Sequence, residues 1–251
     1  MKTLIKKLVH LLGYELLPVG SGAAGSDKRP FGHMRSMLED VRARGLDPQL
    51  ILDVGANIGG WTEMAWKIFP QAQFLLIEPQ PEMRGYLDTV CATLPRAAWV
   101  QAGAGPTPGR MVQTIWDDLA GSSFLPEIDE TLKQRGKQRE VEIITIDGLL
   151  TSRKLPAPDL VKLDIQGFEL EALRGAESIF GHTELIILET NLYRFLPSMP
   201  LVRDVVDFMA ARHYALYDIG GFLRRPSDGA LGQIDMAFAR EEGRLRASQQ
   251  W

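Results

Sequence analysis

A chain of 251 residues that is 45% hydrophobic has the size and core content of one α/β domain with a small extension. Its net charge of −4 excludes the basic footprint of a nucleic-acid-binding protein, so no nucleic-acid partner is expected. Cys91 is the only cysteine, which rules out an internal disulfide and agrees with a reducing cytoplasm, and no apolar run reaches transmembrane length.

In chain order, Leu4, Leu8, Leu11, Leu12 and Leu16 fall on one face of a predicted helix, with Lys2, Lys6 and Lys7 on the other side. Two lysines interrupt the apolar run and no small-residue cleavage site follows closely, unlike a signal peptide. The pattern suits a helix docked on the domain or on a second copy of the chain, or a weak contact with a membrane surface. The expected location is the cytoplasm, with this helix as the route to a membrane or homo-oligomer contact. Residues 19–26 have the composition of a flexible linker. A capping helix is predicted from Met34 to Arg44, ended by Gly45 and Pro48. Residues 1–47 are therefore expected to form an extension, and 48–251 the α/β domain.

Strand one is predicted at Leu50–Val54, a helix at Trp61–Phe69, strand two at Gln73–Glu78 and a helix from Pro81 to Leu94. Strand three follows at Ala98–Ala102, then a turn forced by Gly105-Pro106-Thr107-Pro108-Gly109. Arg110–Trp116 and Glu140–Ile146 read as an inserted hairpin around a polar loop that contains Gly121-Ser122-Ser123. Strand four is predicted at Asp159–Asp164, a helix at Glu169–Leu173, strand five at Glu184–Glu189 and a helix at Leu201–Arg212. Tyr214–Ile219 and Gln233–Ala239 close the sheet as an antiparallel pair. The expected fold class is α/β, a doubly wound, seven-stranded Rossmann-like sheet.

The chemistry concentrates after strand one. Ile51-Leu52-Asp53-Val54 runs into the glycine turn Gly55-Ala56-Asn57-Ile58-Gly59, and Glu78 closes strand two 19 residues past Gly59. This is the βαβ pattern that cradles a nucleoside, with the second acid placed for two ribose hydroxyls. Asn57 stands where a dinucleotide site has its middle glycine, and its side chain would crowd a pyrophosphate. Asp53 near the turn favours a cationic ligand. S-adenosylmethionine, with its sulfonium, ammonium and ribose, fits these charges. The bland alternative is a glycine turn that merely joins a strand to a helix.

These motifs resemble those of the FkbM-type S-adenosylmethionine-dependent methyltransferases. Asp53-Val54-Gly55-Ala56-Asn57-Ile58-Gly59 is similar to their first motif and Glu78-Pro79 to their second. Val161-Lys162-Leu163-Asp164-Ile165-Gln166-Gly167-Phe168-Glu169 resembles their K-I-D-V-E-G-x-E segment, with Gln166 where many members carry Glu. Val141–Leu150, the pair Gly175-Ala176 and Ile187-Leu188-Glu189 continue the likeness, which covers roughly residues 48 to 191. The resemblance implies a doubly wound fold that binds S-adenosylmethionine and methylates a hydroxyl, on a saccharide or another small natural product. The expected cofactor contacts are Asp53, Gly55, Asn57, Gly59, Thr62, Glu78, Pro79, Gly103 and Asp164.

Asp53, Glu78, Asp164 and Glu189 all end predicted strands, on the rim where α/β sheets bind ligands. Asp164 is the first candidate for catalysis, as the base that takes the acceptor's proton or as anchor for a divalent metal. Its alternatives are to cap the following helix or to pair with Lys162. Glu189 is the second candidate, as catalyst or as the other metal ligand. His33 is a third, with a capping or surface role as its alternative. Trp61 and Trp116 could wall the adenine or a sugar face, or simply pack in the core. Two rival functions stay open: a non-catalytic binding module of this fold, and an NAD-dependent oxidoreductase.

Overall fold

A computed structural model describes residues 29–125, 129–248 and 250. The predicted N-terminal helix and the linker at 19–26 lie outside the described residues. The compact unit that carries the fold is Gly32–Trp251. Its elements are α1 (Met34–Ala43), β1 (Leu50–Val54), α2 (Gly60–Ile68), β2 (Gln73–Ile77), α3 (Arg84–Thr93), β3 (Ala97–Val100), β4 (Gly103–Ala104) and β5 (Gly109–Thr114). They continue with α4 (Glu130–Gln134), β6 (Gln138–Ile144), α5 (Ile146–Arg153), β7 (Leu160–Leu163), α6 (Glu169–Arg174), β8 (Leu185–Asn191), α7 (Val202–Ala210), β9 (Tyr214–Arg224) and β10 (Leu231–Arg240). Helix α1, expected in the extension, is part of this unit and buries Met37, Leu38 and Val41.

Seven strands form one sheet in the order β3-β2-β1-β7-β8-β10-β9. The first five run parallel, and β10 pairs antiparallel with both β8 and β9. All five residues of β1 are buried, as expected of a strand covered on both faces. Alternation then sorts side chains between two cores. Leu52, Val54, Val161 and Leu163 join the core over one face, while Ile51, Phe74 and Ile187 join the core over the other, with Met37 and Leu38. The chain builds outward from β1 through β2 to β3, and from β7 through β8 in the other direction. The switch point of the sheet is therefore the gap between β1 and β7, and ligands of such sheets sit at the carboxyl ends there.

Two regions depart from expectation. The insertion is a three-stranded sheet, because β4 pairs parallel with β6 beside the expected β5–β6 hairpin. The closing pair is longer than Tyr214–Ile219 suggested, since β9 continues through Gly220 and Gly221 to Arg224. The predicted strand stopped short of those glycines, each of which meets a close neighbour. A Cβ at Gly220 would lie 2.9 Å from Met34 Cε, and one at Gly221 would lie 2.2 Å from Asp235 Oδ2. Glycine in this strand is the condition for α1 and β10 to approach it.

Candidate functional site

The glycine turn is shaped by its own protein neighbours. Gly55 has φ 81°, and a Cβ there would lie 2.0 Å from the carbonyl oxygen of Asp164. Gly59 has φ 84°, and a Cβ there would lie 2.9 Å from Val90 of α3. Both positions combine a left-handed backbone with close packing. Asn57, with φ 50°, donates its backbone N–H to Glu78 Oε2 at 2.9 Å. The other carboxylate oxygen, Oε1, accepts from Gln80 N at 3.0 Å. Burial pushes the Glu78 carboxyl above its ordinary pKa, against the pull of these two N–H bonds. Glu78 lines a cleft of about 60 Å³ with Gly55, Asn57, Pro79, Ser122 and Asp164. A nucleoside needs more room than this.

Asp53, Thr62 and Gly103, expected as cofactor contacts, do not line this cleft. Asp53 is fully buried, and its Oδ2 accepts from Thr62 Oγ1 at 2.7 Å. Thr62 is equally buried, so this pair braces the start of α2 from inside. Gly103 sits in β4 against the Phe124 ring, where a Cβ would come within 2.5 Å of Cζ. Its glycine is required by packing in the small sheet.

The acids of the rim gather around one cation. Lys162 Nζ lies 3.1 Å from Asp164 Oδ2 and 3.8 Å from Asp53 Oδ1, and 5.9 Å from the centre of the Trp61 ring. Burial opposes charge on Lys162, but the Asp164 and Asp53 carboxylates outweigh it and raise its pKa above the ordinary value. Asp53 is raised by burial, with Lys162 and the Thr62 hydroxyl pulling the other way. The alternative pairing foreseen for Asp164 is thus present, while its carboxylate still lines the cleft. Gln166 connects the next acid: its Nε2 donates to Asp164 Oδ1 at 3.2 Å and to Glu189 Oε2 at 2.8 Å.

Glu189 faces Asp235 directly across the β8–β10 pairing. Burial and then the Asp164 charge raise the Glu189 pKa, and the same causes push Asp235 up to about 6. The two acids line a cavity of about 490 Å³ with His33, Arg35, Met64 and Phe222. His33 is exposed and caps α1, accepting from Ser36 N at 3.3 Å. A second cavity of about 320 Å³ is lined by Trp116, Gln166, Phe195, Leu196, Arg224 and Gln233. Leu223 and Gln233 wall both cavities. Among the described residues, no group of three or more His, Cys, Asp or Glu side chains is spaced to hold a metal ion.

Glu169 adds a pH dependence. Its Oε1 accepts from Ile165 N at 2.9 Å and Gly167 N at 3.2 Å, and burial pushes its pKa up to about 7. A carboxyl whose pKa is higher when folded favours the folded state below its unfolded pKa, and this favour is lost as pH rises through about 7. Glu169→Gln keeps an acceptor oxygen for both N–H groups. It should flatten the fall in stability between pH 5 and 8 by on the order of 2 kcal/mol, read by urea unfolding across that range. Parallel pH profiles for the two proteins would show that Glu169 does not titrate there.

Sequence reasoning missed Asp235 and the linking role of Gln166. A charged residue inside the alternating run Ile234-Asp235-Met236 was the available signal for the first. For Gln166 no sequence signal was available: its φ of 57°, next to Gly167 at φ 94°, shows only in the structure.

The sequence profile of the methyltransferase FkbM domain matches residues 53–216. Methyltransferase sdnD from Sordaria araneosa is 29% identical over 164 residues, covering 54% of this chain and 62% of that protein. Methyltransferase 1 from Beauveria bassiana is 27% identical over 158 residues, covering 56% of this chain and 62% of that protein. The chain thus spans less than two thirds of the length of these relatives. A crystal structure of an FkbM methyltransferase from Methylobacillus flagellatus KT is 19% identical with a TM-score of 0.48, over 76% of this chain and 44% of that one.

Proposed function

This chain belongs to the FkbM methyltransferase family, and on that footing we propose that it is an S-adenosylmethionine-dependent O-methyltransferase acting on a hydroxyl of a saccharide or glycoconjugate. The observation that carries the reading is the junction at Gln166. Its amide holds Asp164 and Glu189 and walls the cavity of Trp116 and Phe195, while Asp164 lines the cleft of the glycine turn. One carboxylate thus stands between a nucleoside-type cleft and a second cavity.

The residues of the cleft suit the cofactor by their chemistry. Glu78 would take the ribose hydroxyls, Gly55 and Asn57 would border the methionine portion, and Asp164 would face the cationic end. When bound, S-adenosylmethionine supplies a methyl group on a positively charged sulfur. Asp164 would receive the hydroxyl proton as the acceptor oxygen takes the methyl group, and the products would be a methyl ether and S-adenosylhomocysteine. Lys162, 3.1 Å from Oδ2, would orient the Asp164 carboxylate. Aromatic faces beside amides and guanidinium groups in the second cavity suit a sugar ring, which offers an apolar face and hydroxyls at its edge.

Calorimetry should show binding of S-adenosylmethionine and none of NAD, and methyl transfer to a library of saccharides should yield a methyl ether. Binding of NAD alone would overturn the reading, and cofactor binding with no transfer to any hydroxyl acceptor would leave a binding module. Glu78→Ala should weaken S-adenosylmethionine binding by about 1.5–3 kcal/mol, the scale of hydrogen bonds to a charged group. Unchanged affinity in a folded variant would remove Glu78 from the site.

A further inference from the structure

Two residues that line the cleft beside Glu78 each hold a buried side-chain carbonyl oxygen with nothing to accept. Gln113, on β5 of the inserted sheet, is 2% exposed, and its Oε1 is buried without a hydrogen-bond partner. Gln80 is 4% exposed, and its Oε1 is in the same state. Both residues line the cleft that holds Glu78. Buried amide oxygens are nearly always paired, so two orphans in one cleft point to a ligand that brings its own donors.

We propose, resting on the cofactor reading above, that Gln80 and Gln113 form the base-recognition edge of the cleft and accept the two N–H bonds of adenine's 6-amino group. The number and kind of groups match: one exocyclic amino group carries two donors, and the cleft carries two free acceptors. A 6-oxo purine would set a third acceptor against them. Gln80 cannot turn its amide round to help, because its Nε2 donates to Leu119 O at 3.1 Å. Rotation would bring oxygen against oxygen. Gln113 is therefore a specificity residue contributed by the insertion, on a different element from the strand-end carboxylate that takes the ribose.

The test is calorimetric and needs no turnover. The probes are S-adenosylhomocysteine and two analogues, one with a 6-oxo group and one with hydrogen at position 6. The wild-type protein should bind the parent at least ~10-fold more tightly than either analogue, the scale of hydrogen bonds lost to buried acceptors. Gln113→Leu should weaken the parent by about tenfold and leave the 6-hydrogen analogue nearly unchanged, so the pair closes a cycle between residue and amino group. Equal binding of all three ligands by the wild type would overturn the proposal while the cofactor reading stands. No binding of any of them would overturn both. The wild-type series keeps the proposal open to refutation even if Gln113→Leu fails to fold.

Discussion

Replacing Lys162 with methionine is expected to destabilise the protein by about 3–5 kcal/mol at pH 8, the usual result of removing one partner from a buried ion pair. Lys162 is nearly buried, and the group it leaves behind is worse placed. Asp53 has no exposed surface, its Oδ1 has no hydrogen bond, and Lys162 is the cation at 3.8 Å from that oxygen. Methionine fills similar volume, so packing loss contributes little. The loss should depend on pH with a definite sign. Without the ammonium group, the Asp53 pKa, already raised by burial, rises further above its unfolded value. Stability from its protonated form is then present at acid pH and lost as pH increases, so the deficit should shrink towards pH 5. Thermal or urea unfolding of both proteins at pH 5 and pH 8 measures this. A variant as stable as wild type at pH 8 would mean that the ion pair contributes no net stability.

Asp164→Asn should lower turnover by roughly 100-fold or more, as for loss of a general base, a larger effect than the weakening of cofactor binding that follows from removing a charge facing the cationic end. The substitution keeps the shape and removes the charge, and its single side-chain oxygen can serve only one of the two donors, Lys162 and Gln166, that the two carboxylate oxygens accept from. It also removes the repulsion that helps to hold the Glu189 and Asp235 pKa values up, so both acids should titrate lower in the variant. A structural role alone would give lost stability and unchanged kcat. Measuring kcat, cofactor Kd and the unfolding midpoint on the same preparation separates these outcomes. Near-normal turnover would turn attention to Glu189, the next carboxylate on the chain of hydrogen bonds through Gln166.

The parts of this fold that were legible in the sequence share a cause. Four of the five parallel strands, β1, β2, β7 and β8, are short apolar runs with an acid or a glycine turn at the end. The site followed for the same reason, since strand ends fix where Glu78, Asp164 and Glu189 stand. What escaped depends on partners distant in sequence. β4 is two residues long and exists through pairing with β6, which no local pattern announces. Gly220 and Gly221 carry a strand onward because Met34 and Asp235 crowd them, and neither neighbour is near in sequence. Thr62 sits on the first turn of the cofactor helix, where a hydroxyl suggests a ligand contact, but the helix's phase turns it inward to Asp53. Lys162 was visible as a neighbour of Asp164. That it also compensates Asp53 depends on β1 and β7 lying side by side, with Asp53 opposite Lys162 in register.

The contact between Gly55 and the Asp164 carbonyl bears on how this scaffold can be re-engineered. At 2.0 Å for any added Cβ, the two strand ends behave as one machined part, and a library that randomises the turn would displace the carboxylate along with it. In-line transfer tolerates little displacement, so such libraries should consist largely of inactive members. Phe195, Leu196, Arg224 and Pro226 wall the second cavity and are not among the neighbours that a Cβ at Gly55 would meet. Diversity placed there can change what is admitted while the joint keeps its tolerance, which makes acceptor scope and chemical competence separate design variables in this molecule.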